Sequence, residues 1–298
     1  MQVDCVIVGG GIAGLQAAIQ LGRYRHQVAV IDAAGGRSTL CRCYHNLIGW
    51  PDGVSGSGLL AAGRSQAERL GVHFIRGKVV RAVQEAGGFI LSTEENSQIN
   101  GKRLLIATGV KDRLPDFPAL IPCMGISVYV CPDCDGYEIS DKRTIVLGAG
   151  SVGAEMALTL THWTNEIIYI NHELTALDDH IRSRLKLQGI LYVEMPIRAV
   201  LTEESQFKGV TLNDGTTIES ERCFVAFGGN KVRSAIAEQL GAELADNKHI
   251  IVDPRTKMTR VQHVWAAGDV TAHSEMVSIA MGDGSQAAIW IHKSLIKP

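Results

Sequence analysis

Two cysteines separated by two residues, Cys131 and Cys134, are the residues of this sequence whose types and spacing point most directly to chemistry. Such a pair can cycle between a dithiol and a disulfide, because the loop between the sulfurs is short and the pKa of the first thiol can be lowered. Asp135 follows at once, and its carboxyl group could carry the proton that thiol–disulfide exchange takes up or releases. The sequence therefore predicts a redox-active dithiol at residues 131–134.

Two other functions of these cysteines stay open. A structural zinc site usually takes four ligands, and Cys41 and Cys43 could supply the two that the pair lacks. Inert core packing is the other alternative, although Pro132 and Asp133 are poor core residues. Cys41 and Cys43 also form a candidate second redox relay, and the simpler interpretation is that they are bystanders in a loop.

The overall composition is that of a globular protein. Hydrophobic residues make up 46% of the 298 residues and charged residues 20%, so there is ample apolar material for a buried core. Lys plus Arg total 29 and Asp plus Glu total 31, a net charge of −2, and neither nucleic acid nor a membrane surface is indicated as a partner. No apolar run reaches the roughly 18 residues of a membrane span, and the N-terminus lacks the basic region of a signal peptide. The odd number of cysteines, seven, is not that of a secreted disulfide framework, so the sequence predicts a cytoplasmic protein. Its length predicts about two domains.

A glycine-rich turn lies between the first predicted strand and the first predicted helix. Gly9, Gly11 and Gly14 fit the pattern G-x-G-x-x-G, in which the glycines allow a tight turn, the approach of a pyrophosphate and close helix–strand packing. Asp32 ends the next predicted strand, where a carboxylate would reach ribose hydroxyls. The turn therefore predicts a dinucleotide site, and the predicted elements are strand 4–8, helix 15–23 and strand 27–32.

The same pattern recurs at Gly148, Gly150 and Gly153. Two such units predict an α/β protein with two nucleotide-binding domains. The elements predicted around the second turn are strand 143–147, helix 154–163 and strand 166–171. The other predicted elements are strands 72–85, 88–93, 103–107, 191–201, 207–212, 223–227 and 264–268, a linker at 114–118 and a helix from about residue 285.

Two further segments are apolar strands that end in Thr-Gly and Gly-Asp, namely residues 104–109 and residues 265–270. With them, the chain resembles the flavoprotein reductases that have two dinucleotide-binding domains. The order Cys-Pro-Asp-Cys-Asp-Gly at residues 131–136, directly before the second glycine-rich turn, is similar to that of the low-molecular-weight thioredoxin reductases. The resemblance covers nearly the whole chain, including residues 45–49 (His-Asn-Leu-Ile-Gly) and residues 252–284.

This resemblance implies an α/β fold of two Rossmann-like dinucleotide-binding domains, the second inserted into the first. It implies an FAD-binding domain at 1–114 and 242–298, and a pyridine-nucleotide-like domain that carries the cysteine pair at 115–241. Hinges are expected near 113–118 and 231–245. A homodimer is also implied, with a thioredoxin-like protein or a small disulfide or dithiol as the partner.

The resemblance also implies roles for single residues. Cys134 would face the flavin, Cys131 would exchange with the external disulfide, Asp135 would carry the proton, and Asp269 would bind the ribityl chain of FAD. The residues expected around FAD are Gly9, Gly11, Ala13, Gly14, Asp32, Arg37, Ser38, Asn46, Val79, Thr108, Gly109, Gly268, Asp269, Glu275, Met276 and Val277. Those expected around the second dinucleotide are Gly148, Gly150, Ser151, Val152 and Gly153.

The stretch after the second unit departs from that family. Thioredoxin reductases have arginines there that clamp the 2′-phosphate of NADPH, whereas residues 171–177 read Asn-His-Glu-Leu-Thr-Ala-Leu. A bidentate phosphate clamp needs guanidinium groups, so NADPH is disfavoured. Asn171 stands where an acid would indicate NADH, Glu173 could take over that function, and Gly153 replaces a usual Ala and favours NADH. NADH or another electron donor is therefore expected.

Two residues near the expected flavin are also unusual. Glu275 lies where the family has an arginine, and an acid beside the flavin would disfavour its reduced, anionic form. His45 could act as an acid or base, or could be a loop histidine that bonds to backbone.

Three functions are consistent with these features. The leading one is an FAD-dependent disulfide reductase that passes electrons through Cys131 and Cys134 to an external disulfide. The second is a dithiol oxidase that passes electrons from a small dithiol through FAD to oxygen, which needs no NADPH clamp and which residues 45–49 also resemble. The third is a flavin-binding sensor without activity, which the intact Cys-x-x-Cys-Asp disfavours.

Overall fold

The structure is a computed structural model and describes residues 1–296. Its helices are α1 (Ile12–Arg23), α2 (Gly56–Arg69), α3 (Pro132–Asp135), α4 (Gly150–Leu160), α5 (Asp179–Leu187), α6 (Ala235–Gln239) and α7 (Val277–Ile296). Short 3-10 helices span Arg37–Thr39, Pro118–Cys123 and Gly136–Ile139. The strands are β1 (Gln2–Val8), β2 (Val28–Asp32), β3 (His73–Arg76), β4 (Val79–Glu85), β5 (Gly88–Thr93), β6 (Gln98–Ile106), β7 (Val110–Lys111), β8 (Val128–Tyr129), β9 (Thr144–Gly148), β10 (Ile167–Asn171), β11 (Leu191–Val193), β12 (Ile197–Glu203), β13 (Gln206–Leu212), β14 (Thr217–Glu219), β15 (Arg222–Ala226), β16 (Lys231–Val232) and β17 (Val264–Ala266).

The chain forms two compact units. The first comprises Met1–Thr39, Gly56–Lys111 and the described residues from Lys231 onward. The second comprises Leu40–Ser55 and Asp112–Asn230. Each unit contains a sheet with parallel strands flanked by helices, so the α/β class predicted from the two glycine-rich turns is confirmed.

The first unit is built on a seven-stranded sheet of order β3-β2-β1-β6-β5-β4, in which β17 also pairs with β6. Strands β1, β2, β3, β6 and β17 run parallel, β5 pairs antiparallel with β6, and β4 pairs antiparallel with β5. Ile106 at the end of β6 lies opposite Val8 of β1 and Ala266 of β17. The carboxyl ends of these three strands therefore meet at one edge, which is where open α/β sheets bind ligands.

Strand β1 is buried on both faces. Cys5 and Ile7 pack into the cluster that includes α1 and α7, and Val6 and Val8 pack into the cluster on the opposite face. A strand covered on both faces needs apolar residues at every position rather than at alternate ones. This explains the uninterrupted apolar run that the sequence shows at residues 5–8.

The second unit is built on a five-stranded parallel sheet of order β11-β10-β9-β15-β8. A three-stranded antiparallel sheet, β12-β13-β14, belongs to the same unit. Strand β9 is buried on both faces like β1, with Ile145 and Leu147 in one cluster and Val146 in the other. Helix α4 follows β9, so the turn at Gly148 repeats the strand–turn–helix arrangement of the first unit.

Helix α7 begins at Val277, whereas the sequence predicted a helix from about residue 285. The prediction was wrong because Gly282 and Gly284 weaken intrinsic helix propensity. Packing overrides that propensity: a Cβ on Gly284 would lie 2.2 Å from the carbonyl oxygen of Ala13 in α1, so the glycine lets the two helices meet.

The compact units differ in two places from the expected domain boundaries. Leu40–Ser55 clusters with the unit that carries the cysteine pair, although it lies inside the range 1–114, and the residues from Lys231 onward cluster with the other unit. Sequence order alone does not reveal on which unit an excursion of the chain packs. Within residues 1–296, no helix combines the length and apolar character needed to cross a membrane.

We expect Gly284→Ala to destabilise the protein by roughly 1–3 kcal/mol, because the added methyl group would press on the backbone of α1. Gly282→Ala is the matched control in the same helix, since a Cβ there meets no atom within 4 Å. That control should be neutral or stabilising by up to about 1 kcal/mol. Urea denaturation of both variants measures the difference, and equal midpoints would contradict the packing account.

Candidate active site

Cys131 and Cys134 lie at the start of helix α3 in the second unit. Cys131 is the N-cap residue with extended backbone (φ −119°, ψ 111°), and its Sγ accepts a hydrogen bond from the backbone N–H of Cys134. That bond measures 3.3 Å, and the two Sγ atoms are 2.6 Å apart. Both cysteines are free thiols that are half-buried. The structure thus brings together the two sulfurs that the sequence predicts to react.

The surroundings make the two thiols unequal. The hydrogen bond from the Cys134 thiol, followed by that from its backbone N–H, lowers the pKa of Cys131, although burial and the charges of Asp135 and Asp133 oppose this. The same hydrogen bond raises the pKa of Cys134, and burial adds to this. Because the thiolate is the nucleophile, Cys131 is the better suited of the two sulfurs to attack a disulfide.

Asp135 has the properties of a proton carrier. Burial, and then the negative charge of Glu138, raises the pKa of Asp135 to about 7. A carboxyl group that titrates near neutral pH can both give and take a proton during turnover. The structure therefore gives a physical reason for the role that the sequence predicts for this residue.

The segment Leu40–Ser55 lies in the same unit. The backbone N–H of Arg42 donates to the carbonyl oxygen of Met124 at 3.1 Å, and His45 Nδ1 lies 3.3 Å from Glu138 Oε1. His45 is thus paired with the carboxylate whose charge acts on Asp135. A side-chain partner for His45 is thus added to the two functions that the sequence left open for it.

Cys41 and Cys43 are poorly suited to a second relay. Burial, and then the charge of Asp135, raises the pKa of Cys41 to about 12, and burial followed by the charge of Glu138 raises the pKa of Cys43. Neither thiol has the thiolate character that rapid exchange needs. As for zinc, no group of three or more His, Cys, Asp or Glu side chains able to hold a metal ion occurs in the described part of the chain.

The first glycine-rich turn, in the first unit, leaves an open space beside its backbone. A Cβ on Gly9 (φ 108°) would lie 2.3 Å from the carbonyl oxygen of Ala107, and one on Gly14 would lie 1.9 Å from that of Gly9. By contrast, a Cβ on Gly11 would meet nothing within 4 Å. Gly9 and Gly14 are required for packing, and Gly11 leaves room for a ligand. This turn fits the pyrophosphate of FAD.

A charged cluster lies beside Asp269 in the same unit. Arg37 Nη1 is 3.0 Å from Asp269 Oδ2 and is also paired with the carboxylate of Glu275. His249 Nε2 lies 3.2 Å from the other oxygen of Glu275. The carboxylate of Glu275, for which sequence reasoning named no partner, is thus paired with Arg37 and His249. Sequence reasoning missed His249, because nothing in its local pattern marks it.

A second network, which sequence reasoning also missed, holds the backbone just before Asp269. The buried Asp283 accepts from the N–H of Gly268 at 3.1 Å and lies 2.7 Å from Lys257 Nζ and 2.5 Å from His273 Nε2. Burial alone would raise the pKa of Asp283, but the hydrogen bonds from His273 and Lys257 hold this pKa below its usual range. The signal that could have identified Asp283 in the sequence is its position as an acid between two glycines of an apolar helix.

The remaining residues predicted around FAD are distributed over several elements. Ala13 lies in α1, Ser38 in Arg37–Thr39, Val79 at the start of β4, Asp32 at the end of β2, and Met276 and Val277 at the start of α7. The hydroxyl of Thr108 donates to Arg233 O, and Gly109 has a positive φ of 65°. All of the predicted FAD residues belong to the first unit except Asn46, which lies in Leu40–Ser55 of the second.

The second glycine-rich turn is more crowded than the first. A Cβ on Gly153 would lie 2.5 Å from the ring of Tyr169, whose hydroxyl donates to Gly150 O at 2.6 Å. The absence of a methyl group at position 153 thus has a local packing cause, and it no longer indicates which nicotinamide donor binds. Gly148 packs against Ala226 O as Gly9 packs against Ala107 O. Ser151 and Val152 lie in the first turn of α4, where both are exposed.

A family model described as Pyridine nucleotide-disulphide oxidoreductase matches residues 3–284. The chain belongs to this family. This oxidoreductase is 28% identical to a thioredoxin reductase from Rickettsia bellii over 98% of both chains. It is 27% identical to the putative thioredoxin reductase TrxB from Bacillus anthracis, with 98% of each chain covered and a TM-score of 0.84. An oxidoreductase from Agrobacterium tumefaciens is 29% identical, with 100% of each chain covered and a TM-score of 0.82.

These similarities confirm the predicted resemblance. The protein is an FAD-dependent disulfide oxidoreductase of the thioredoxin-reductase type, and its family implies FAD together with a nicotinamide donor. The two Rossmann-like units predicted from the glycine-rich turns agree with this fold.

We expect Glu138→Gln to lower the pKa of Asp135, because the substitution removes the negative charge that disfavours ionisation of the neighbouring carboxyl group. Burial remains, so the titration of Asp135 should move to lower pH by up to about one pH unit. Carbon-detected NMR of labelled Asp135 measures this. Glu219→Gln, an exposed acid of the same unit, is the control. A titration that stays in place, or moves to higher pH, would show that Glu138 does not act on Asp135.

Proposed function

We propose that this oxidoreductase reduces an external disulfide through Cys131 and Cys134. The Cys131 thiolate attacks one sulfur of the external disulfide, which forms a mixed disulfide and releases the first sulfur as a thiolate. Asp135 takes the proton of the Cys134 thiol, and the Cys134 thiolate attacks the Cys131 sulfur of the mixed disulfide. The second sulfur leaves and receives the proton from Asp135, and the two cysteines remain joined as a disulfide, so two electrons have passed to the substrate. The observation that carries this proposal is the geometry of the pair: the two Sγ atoms lie 2.6 Å apart, and Cys131 Sγ accepts from the backbone N–H of Cys134, directly before Asp135.

The residues of the first glycine-rich turn, with Asp32 and Asp269, would hold FAD. When bound, FAD supplies the two-electron couple that returns the Cys131–Cys134 disulfide to the dithiol. Two features of the structure support FAD binding by these residues: the backbone beside Gly11 is open, and Asp269 is paired with Arg37. Cys134 is proposed to be the cysteine that faces the flavin, since Cys131 is the one suited to attack the substrate.

The substrate that we propose is a thioredoxin-like protein or a small disulfide. The similarity to thioredoxin reductases from several bacteria supports this choice. A homodimer and a cytoplasmic location are part of the same proposal, and both come from the resemblance to that group of enzymes.

We further propose that the nicotinamide donor lacks a 2′-phosphate. Residues 171–177 contain no arginine, and burial lowers the pKa of His172, whose Nδ1 accepts from the N–H of Ile197. Three arginines that the second unit does contain are each paired with a carboxylate: Arg113 with Glu173, Arg182 with Glu194, and Arg184 with Glu155. A phosphate that used one of these three guanidinium groups would have to break its pair, whereas the hydroxyls of NADH would not.

Anaerobic titration of the flavin absorbance tests the donor. NADH, NADPH, a low-potential one-electron donor and a small dithiol are compared in parallel on the same enzyme. We expect NADH to reduce the flavin at least about tenfold faster than NADPH at equal concentration, since tenfold corresponds to the loss of one modest interaction, about 1.4 kcal/mol.

Each other outcome contradicts a specific part of the proposal. Rapid reduction by micromolar NADPH would show that residues 171–177 do not exclude the 2′-phosphate. Reduction by the dithiol alone, followed by reoxidation with oxygen, would show that electrons run in the opposite direction and that the protein is a dithiol oxidase.

A further inference from the structure

The two glycine-rich turns of this chain have the same glycine spacing, but their middle glycines differ in backbone conformation (φ −75° at Gly11, φ 52° at Gly150) and in surroundings. A Cβ placed on the middle glycine of the first turn, Gly11, meets nothing within 4 Å. A Cβ placed on the middle glycine of the second turn, Gly150, lies 2.8 Å from Cγ2 and 3.2 Å from Cβ of Thr175. In this motif the middle glycine lets the backbone approach a pyrophosphate. The space that the first turn leaves open is therefore filled in the second by a side chain of the same unit.

Asn171 connects Thr175 to the glycine-rich turn. Its side-chain Oδ1 accepts from the backbone N–H of Gly150 at 3.1 Å, and its Nδ2 donates to the carbonyl oxygen of Thr175 at 2.8 Å and to the hydroxyl of Tyr192 at 3.0 Å. Asn171 is 0% exposed, and its bond to Gly150 is buried, whereas its bonds to Thr175 and Tyr192 are partly buried. A single buried amide thus fastens the segment 172–175 to the turn it covers.

The equivalent residue of the first unit shows why the amide matters. Asp32 also ends a strand and also accepts from the turn, through Oδ1 and the N–H of Gly10 at 3.0 Å. An ionised carboxylate has no N–H to donate, so it cannot hold a carbonyl oxygen as Asn171 holds that of Thr175. The exchange of an acid for an amide therefore adds a donor that points to the chain's own backbone.

The covering segment is strained and lies at the surface. Leu174 has a left-handed backbone (φ 55°), which costs a non-glycine residue roughly 1–2 kcal/mol. Its N–H donates to the carbonyl oxygen of Asn171 at 3.3 Å, and both Leu174 and Thr175 are exposed. His172 remains tied to the sheets, since its N–H donates to the carbonyl oxygen of Gly148 at 3.0 Å and its Nδ1 accepts from the N–H of Ile197. Residues 173–175 form the strained, exposed part of the segment, which can move away while His172 stays in place.

We propose that Asn171 latches residues 172–175 over the second glycine-rich turn, so that an adenine dinucleotide can bind there only by displacing Thr175. The ligand class is any dinucleotide whose pyrophosphate would approach Gly150. The inference rests on the proposed function only in taking this turn as the donor site. The pairing of Glu173 with Arg113 is a second attachment of the same segment.

The test is calorimetric binding of NAD⁺ and of ADP-ribose to the FAD-loaded enzyme, which requires no turnover. Thr175→Gly removes the side chain that fills the space, and we expect it to lower the Kd at least about tenfold relative to the wild type. Thr175→Val is the matched control, because valine keeps the shape of threonine and should bind as weakly as the wild type. Asn171→Asp removes the donor to Thr175 O and should also tighten binding.

Equal Kd values for the wild type, Thr175→Gly and Thr175→Val would overturn the latch, as would tightening in the valine variant. Because Asn171 is buried, its variant is interpreted only if its FAD content and circular dichroism match the wild type. The exposed Thr175 keeps the proposal testable if that variant does not fold. Exchange between the chemically reduced enzyme and a small disulfide is measured alongside. A failure of this exchange counts against the proposed thiol chemistry and leaves the latch untouched.

Discussion

The hydrogen bond between the sulfurs of Cys131 and Cys134, which lie 2.6 Å apart, is the interaction on which the chemistry of this oxidoreductase depends. It makes two residues of the same type different, because it lowers the pKa of Cys131 and raises the pKa of Cys134. The short helix α3 enforces the approach, because Cys131 is its N-cap and receives the N–H of Cys134. Asp135 in the same helix can accept a proton because burial raises its pKa. The three groups of the proposed thiol chemistry thus come from five consecutive residues.

If the proposed latch is correct, one residue separates an open dinucleotide site from a closed one. Gly9 and Gly148 pack in the same way against the carbonyl oxygen of a neighbouring strand. The difference arises at the end of the following strand, where one turn has Asp32 and the other Asn171. A carboxylate leaves the turn open, whereas an amide can bind the chain that follows it. The FAD side and the donor side of the family fold are therefore not equivalent in this protein.

Most of the scaffold could be predicted from sequence, because it depends on local patterns. Apolar runs followed by G-x-G-x-x-G give strand, turn and helix in both units. The start of α7 was mispredicted because the contact of Gly284 with α1 is long-range. The position of Leu40–Ser55 was missed for the same reason.

In the candidate site, too, local features could be predicted from the sequence and long-range contacts could not. The pair Cys131–Cys134 and its acid are adjacent in sequence and were found. The partners of Glu275, the carboxylate of Asp283 and the pairing of His45 with Glu138 join residues that are far apart in sequence, so only the fold brings them together. Thr175 belongs with these, because its effect depends on where the turn after Asn171 places it.

The measurement that most directly tests the central claim is trapping of the mixed disulfide. Reduced Cys134→Ser and Cys131→Ser enzymes are each mixed with a small disulfide or an oxidised thioredoxin-like protein, and the adducts are located by mass spectrometry. The account predicts a stable adduct on Cys131 in the first variant and little or none on Cys134 in the second. An adduct that forms preferentially on Cys134, or no adduct in either variant, would contradict it.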